Sequence, residues 1–140
     1  EFIEHSVFAL LNQIVPPGDS APAASADTGV RQAGRVVGVL LQFAEKNPGM
    51  ARVMVGDALV FENERLQQRM NQFFDRVESI LRQCLRAAAQ SAGSDTPTMD
   101  AQVRAAVLTA FVMGRLQRFT RSGFRRAPSE HLDASLALML

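Results

Sequence analysis

The chain is poor in the side chains that enzymes use most. Its 140 residues include one cysteine, Cys84, and two histidines, His5 and His131, near opposite ends. A single cysteine excludes an internal disulfide and fits a reducing cytoplasm. Two distant histidines give no Ser-His-Asp or Cys-His order, and no CxxC, HExxH, glycine-rich phosphate loop or dinucleotide fingerprint occurs. Catalysis is therefore not expected, nor is a metal or a cofactor. No apolar run approaches the ~20 residues that a bilayer crossing needs, and the opening residues do not read as a signal peptide. Charge of one sign is missing too. Fifteen basic residues against 14 acidic ones leave a formal net charge of +1, so no global field draws the chain toward nucleic acid or membrane. Lys46 is the single lysine. Genomic base composition explains that arginine bias more simply than guanidinium-specific recognition does.

What is present is helical periodicity. A hydrophobic fraction of 47% in 140 residues fits one domain with one core. From about Glu62, apolar residues recur at Leu66, Met70, Phe73, Val77, Ile80 and Cys84, with Phe74, Leu81, Leu85 and Ala88 as a second row. Steps of three and four keep one side of a helix facing a core. The other side carries Gln68, Gln72, Asp75, Ser79, Arg82 and Arg86. At ~1.5 Å per residue this helix reaches ~40 Å and is the expected spine of an all-α domain. Glu62 and Glu64 at its start, with Arg82 and Arg86 toward its end, suit the helix dipole.

Around the spine, Phe2, Ile3, Val7, Leu10, Leu11 and Ile14 predict a first helix that Pro16 and Pro17 end. Residues 16–29 read as a loop without periodicity. Val30 to Lys46 is the second helix, and Asn47-Pro48-Gly49 stops it and starts a short third one through Phe61. Asn47 is expected to cap that successor, with Pro48 at its first position. Asp57 falls among the apolar residues of the third helix and should be paired with an arginine or exposed. After a loop at 91–98, the helix from about Met99 to Arg121 is apolar around most of its circumference. One row is Val103, Ala106, Val107, Ala110, Phe111 and Gly114; the other is Leu108, Val112, Leu116 and Phe119. Two apolar sides imply two partners, the spine and the same helix of a second subunit. Ala106, Ala110 and Gly114, four apart, would allow close backbone approach. A final helix from Ser129 to Leu140 adds Leu136. A homodimer interface built from Ala106, Ala110, Gly114, Val107, Phe111 and Leu136 is therefore expected.

Three clusters have a functional and a plain reading. Cys84 lies in the apolar stripe and reads as packing rather than redox chemistry. Arg115, Arg118, Arg121, Arg125 and Arg126 around Phe119 and Phe124 suit nucleic acid or phospholipid, but equally the carbonyls and dipole of a helix end. Met50, Met54 and Met70 with Phe43, Phe61 and Phe73 suit a small apolar ligand, or ordinary core packing.

The stretch FAEKNPGMARVMVGDALVFENERLQQRMNQFFDRVESILRQCLR, with GRLQRFTRSGFRRAPSEHLDA and the opening EFIE, resembles the regulatory domain of the TetR family. Within it the chain is most similar to the nucleoid-occlusion branch of Gram-negative bacteria. The match is a long collinear pattern around NPG, GxAL(V/M)FE and RLQxRxNQxF rather than one diagnostic motif. The resemblance implies that residues 1–140 form a TetR-type C-terminal regulatory and dimerisation domain, all-α, of about six helices with a dimeric helix-bundle interface. It also implies a helix-turn-helix head before Glu1, through which the protein would meet DNA, and a cytoplasmic, nucleoid-associated location. This chain by itself offers no element for reading bases.

Two function classes follow. In the first, the domain dimerises and binds the C-terminal tail of the tubulin-like division protein FtsZ, blocking septum assembly over the nucleoid. The resemblance puts that tail between the first helix and the helix ending in NPG, at Phe2, Val39, Lys46 and Asn47. Phe2 would be an aromatic anchor, Val39 an apolar wall, Lys46 a positive charge and Asn47 an amide holding an extended backbone. Lys46 stands where the family has arginine, and Leu10 and Gln42 replace an arginine and a glycine. In the second class the chain is a transcriptional repressor switched by a small apolar ligand, which requires an apolar cavity of a few hundred Å³.

Overall fold

The computed structural model describes residues 2–14, 26–55 and 64–140, and among these it has six α-helices and no strand. They are α1 (Phe2–Ile14), α2 (Ala26–Lys46), α3 (Pro48–Met54), α4 (Glu64–Ser91), α5 (Pro97–Arg121) and α6 (Leu132–Met139). Helix α2 begins four residues earlier than its apolar pattern does, inside the stretch expected to be loop. Asp57 and Phe61 lie outside the described residues.

Helix α4 is the spine. Met70, Phe73, Phe74, Val77, Leu81, Cys84, Leu85 and Ala88 are buried along one side, while Leu66 and Ile80 form half-buried flanks. Its most extensive partner is α5, followed by α2. Helix α5 commits Ala101, Ala105, Leu108, Thr109, Val112, Leu116 and Phe119 to this core. Full burial of such aliphatic and aromatic side chains stabilises by about 1.5–3 kcal/mol each. A neutral hydrogen bond contributes only about 0.5–1.5 kcal/mol net. Helix α1 shows the ranking. Arg76 of α4 lies 4.0 Å over the Phe8 ring, a contact of about 0.5–1 kcal/mol at an exposed site. Buried Val7, Phe8 and Leu11 therefore hold α1 in place, and the guanidinium adds orientation.

Helix α2 is gripped from several sides. Its apolar face (Ala33, Val36, Val37, Leu40, Leu41 and Ala44) is fully buried. Near its start Gly29 touches α4: a Cβ there would lie 2.5 Å from the Cys84 carbonyl oxygen and 2.8 Å from the Ala88 Cβ. Farther along, Gly34 and Gly38 face Leu136 and Leu132 of α6. Near its end, the Glu45 carboxylate accepts hydrogen bonds from the Ser129 amide (2.7 Å) and hydroxyl, tying the turn before α6 to α2.

The helix ends use local devices. Asn47 does not cap α3 with its side chain. Its Nδ2 donates instead to the Phe43 carbonyl at 2.8 Å, while its own carbonyl accepts from Met50 and Ala51. The amide thus closes α2, and the backbone opens α3. Helix α4 runs to Ser91, so no basic residue occupies its last turn. Arg86 reaches sideways to the Thr98 hydroxyl at 3.0 Å. After α5 the left-handed backbone extends beyond glycine. Gly123 and Phe124 both take φ of 66°, and the Phe124 amide returns to the Phe119 carbonyl at 2.9 Å. The rings of Phe119 and Phe124 meet edge to face at 5.2 Å, the apolar contact that accompanies a Schellman cap.

Two outcomes test this packing. Gly29→Ala should melt below the unmodified chain in circular dichroism. Forcing a methyl into a closed contact costs about 1–3 kcal/mol, whereas removing a helical glycine returns at most ~1 kcal/mol. Gly49→Ala, whose added methyl meets nothing within 4 Å, should melt at or above the unmodified chain. Equal melting of the two variants would contradict the α2–α4 contact. Burial raises the Cys84 thiol from the ordinary 9.0 to about 11, a backbone hydrogen bond opposing slightly. The folded state therefore holds a proton that the unfolded state loses first. Stability from this group is present below pH 9 and lost as pH rises toward 11. Urea titrations between pH 8 and 11 should show that decline, and Cys84→Ala should reduce it.

Candidate functional site

The α5 row that does not face α4 is exposed. Met99 is 63% accessible, Val103 58%, Val107 47% and Met113 43%, and Ala106, Ala110 and Gly114 are exposed with them. These positions recur at steps of three and four, forming one apolar stripe of about four turns, or ~22 Å. A Cβ added at Gly114 would meet nothing within 4 Å. Of the residues expected on this face, Phe111 is half-buried beneath the Arg115 guanidinium, 4.8 Å from its ring centre. Leu136 packs inward against Gly34 of α2. The exposed leucine of α6 is Leu138, at 90%. Met99, Met113 and Leu138 were not singled out by periodicity. Met99 opens the helix, Met113 sits at the stripe's edge, and the register of α6 is set by contacts with α2.

The second expected surface combines residues of α1 and α2, two helices that pack together. Val39 is half-buried and packs on the core. Lys46 is exposed in the last turn of α2, and Asn47 follows it, half-buried, with one of its two side-chain N–H groups committed to Phe43. Phe2 opens α1, but its side chain lies outside the described residues. Leu10 is 43% exposed on α1, and Gln42 is exposed on α2. The described end of this surface is therefore a helix terminus carrying one cation beside an amide.

The remaining clusters separate clearly. Arg115 is a clamp: Nη1 donates to the carbonyls of Pro128 and Glu130, and Nη2 to the Ser135 hydroxyl at 3.2 Å. Its partners come 13 to 20 residues later, so no local motif announces them. Arg126 pairs with Glu130 at 3.2 Å. Arg118, Arg121 and Arg125 are exposed. Of the methionine cluster, Met54 and Met70 line a cleft of about 270 Å³ between α3, α4 and α5, together with Phe74, Met113 and Gln117. Cys84 is 3% accessible. Its raised pKa leaves it a thiol near neutrality, and the thiolate is the reactive form.

Comparison with known proteins agrees with this architecture. Residues 27–140 match the family described as SlmA-like, tetracyclin repressor-like, C-terminal domain. The nucleoid occlusion factor SlmA of Vibrio cholerae is 41% identical over 139 residues, 99% of this chain and 66% of that protein. The namesake from Vibrio atlanticus is 40% identical over the same span, and that of Photobacterium profundum is 41% identical over 133 residues. The chain thus spans about 66% of the length of the first two relatives. A regulator family of this kind is not an enzyme family. Over most of its residues, the chain belongs to the SlmA-like family of tetracyclin repressor-like C-terminal domains.

Proposed function

We propose that the chain is the dimerising, partner-binding domain of a nucleoid occlusion factor. The observation that carries this reading is the apolar outer face of α5, in a chain whose relatives bear that name. A stripe of methionine, valine, alanine and glycine along four turns is costly to leave in water and suits a self-complementary interface. In this reading two copies pack α5 against α5, Ala106, Ala110 and Gly114 allow the backbones to approach, and Val107 and Leu138 extend the contact. Phe111 and Leu136 support it from within each copy. DNA would be met through a helix-turn-helix head preceding Glu1, within the third of the relatives that this chain does not span. The FtsZ C-terminal tail would lie against Phe2, Val39, Lys46 and Asn47, with septum assembly blocked wherever DNA holds the dimer.

A repressor switched by a small apolar ligand is the second reading, and the methionine-lined cleft favours it. Its volume of about 270 Å³ lies at the lower edge of the ~300–1,000 Å³ typical of ligand pockets. Its wall also includes Met113, which the first reading places beside the dimer face. The first reading is preferred because it employs the whole α5 stripe.

Light scattering at micromolar concentration should give twice the 15.3 kDa chain mass. Gly114→Leu should give a monomer of unchanged helicity, since the single chain has room for the side chain. A monomeric unmodified chain would sink the dimer. Titration calorimetry with the FtsZ tail peptide should show binding that Phe2→Ala and Asn47→Glu each weaken about 30-fold, the equivalent of ~2 kcal/mol per anchor. Undiminished binding by both variants, or no binding by a dimeric unmodified chain, would count against that groove.

A further inference from the structure

The turn joining α5 to α6 brings basic side chains from both elements to one pocket. Its volume is about 180 Å³, and Arg115, Arg118, Arg126, Ala127, Glu130 and His131 line it. Glu130 is the one acid among these, and it already pairs with Arg126 at 3.2 Å and stands 3.7 Å from His131 Nε2. Three guanidinium groups against one carboxylate leave an excess of two positive charges, whatever the state of His131.

Helix capping does not account for that excess. The carbonyls of Gln117 to Thr120 are satisfied without arginine. The amides of Ser122, Gly123 and Phe124 return to Arg118, Thr120 and Phe119. The Thr120 hydroxyl donates to Gln117, and the Ser122 hydroxyl to Phe119, both at 2.9 Å. Arg115 is used structurally, but its bonds to Pro128, Glu130 and Ser135 also fix its guanidinium in the pocket wall. Arg118, one turn farther on, is exposed and makes no ion pair or side-chain hydrogen bond among the described residues. His131 completes the wall from a left-handed backbone with φ of 54°, a conformation uncommon for a residue with a Cβ.

We propose that this pocket binds a phosphate group carried by a small soluble ligand. Guanidinium groups present flat forks of N–H donors that match phosphate oxygens two at a time. Arg115 is pre-positioned by the turn, and Arg118 is the donor that remains to close on the anion. The volume admits a phosphate or pyrophosphate with little attached to it and cannot admit a duplex. The site lies on the α5–α6 turn, beyond the α5 apolar stripe, where Glu45 of α2 holds the neighbouring Ser129.

The test is a titration of the folded chain with inorganic phosphate and with pyrophosphate, against chloride at equal ionic strength. It is followed by calorimetry and by the thermal midpoint. Saturable binding at one site per chain is expected, with pyrophosphate the tighter ligand. Arg118→Ala should weaken it at least ~10-fold, the scale of a lost charge-assisted hydrogen bond. Arg121→Ala, exposed and outside the pocket, should leave it unchanged. A parallel arm with phosphatidate vesicles distinguishes sources: Arg118-dependent retention on vesicles would assign the phosphate to a lipid headgroup rather than a soluble ester. The proposal is overturned if chloride reproduces the response, if Arg118→Ala binds as the unmodified chain does, or if Arg121→Ala loses binding equally.

Discussion

The seam between α4 and α5 is the constraint on which the rest depends. It is the most extensive helix pairing in the domain, and it fixes the rotation of α5 about its own axis. Once Leu108, Val112, Leu116 and Phe119 face α4, successive residues advance by ~100° around the helix. Val103, Ala106, Val107, Ala110 and Gly114 then have no choice but the far side. The exposed apolar stripe is thus a consequence of how the core is built. A rotation that hid Val103 and Val107 would expose Leu108 and Val112, at a similar cost in buried area. An apolar row on both sides of one helix has no solution within a single copy unless another helix covers it. Among the described residues α6 does not, because it is drawn to α2.

That diversion of α6 follows from glycine and one carboxylate. Gly34 and Gly38 leave shallow places on α2 where Leu136 and Leu132 settle, and Glu45 holds Ser129 from the same helix. Arg115 completes the corner from α5 by gathering the Pro128 and Glu130 carbonyls. Three helices therefore meet at the turn before α6. The carbonyls there are engaged by a side chain, which suits backbone polar groups at a half-buried corner. The residue that does most of this gathering is one of the five arginines whose abundance, in sequence, looks like a feature of composition.

How much of this the sequence reveals depends on the range of each interaction. The stripes of α4 and α5 are legible because a helix repeats its environment every turn, so burial writes itself into spacing. Both sides of α5 could be separated into rows on that basis alone. Contacts that close at a distance leave no such mark. Nothing local says that Gly29 belongs to a helix touching Cys84 and Ala88. It follows a proline-punctuated stretch and reads as loop. Spacing puts Leu132, Leu136 and Met139 on one stripe and leaves Leu138 off it, but does not say whether that stripe meets α2 or a second subunit. Their helix is short and apolar nearly throughout, so its rotation is decided by α2. Asn47 stands at the cap position of α3, as expected, but makes no side-chain cap there, for a related reason. Its side chain can reach either helix end, and here the Phe43 carbonyl is the acceptor it takes.

At the end of α2 a structural role and the proposed recognition role fall on the same residues. Lys46 occupies the last helical turn, where the partial negative charge of the helix terminus already favours a cation. Asn47 ties off the Phe43 carbonyl, and Glu45 anchors the α5–α6 turn. Each would be retained for stability alone. Yet stability needs neither the exposure of Lys46 nor its place beside an amide with donor capacity left. A rigid helix end is also a better platform for a peptide than a loop, because less ordering remains to be done on binding. Lys46 offers a point charge there rather than the flat guanidinium fork that grips a carboxylate at two points. Leu10 on α1 and Gln42 on α2 add an exposed apolar and an exposed uncharged side chain to the charge of Lys46. On the proposed reading, a tail docked here should be less sensitive to salt than one held by an arginine pair.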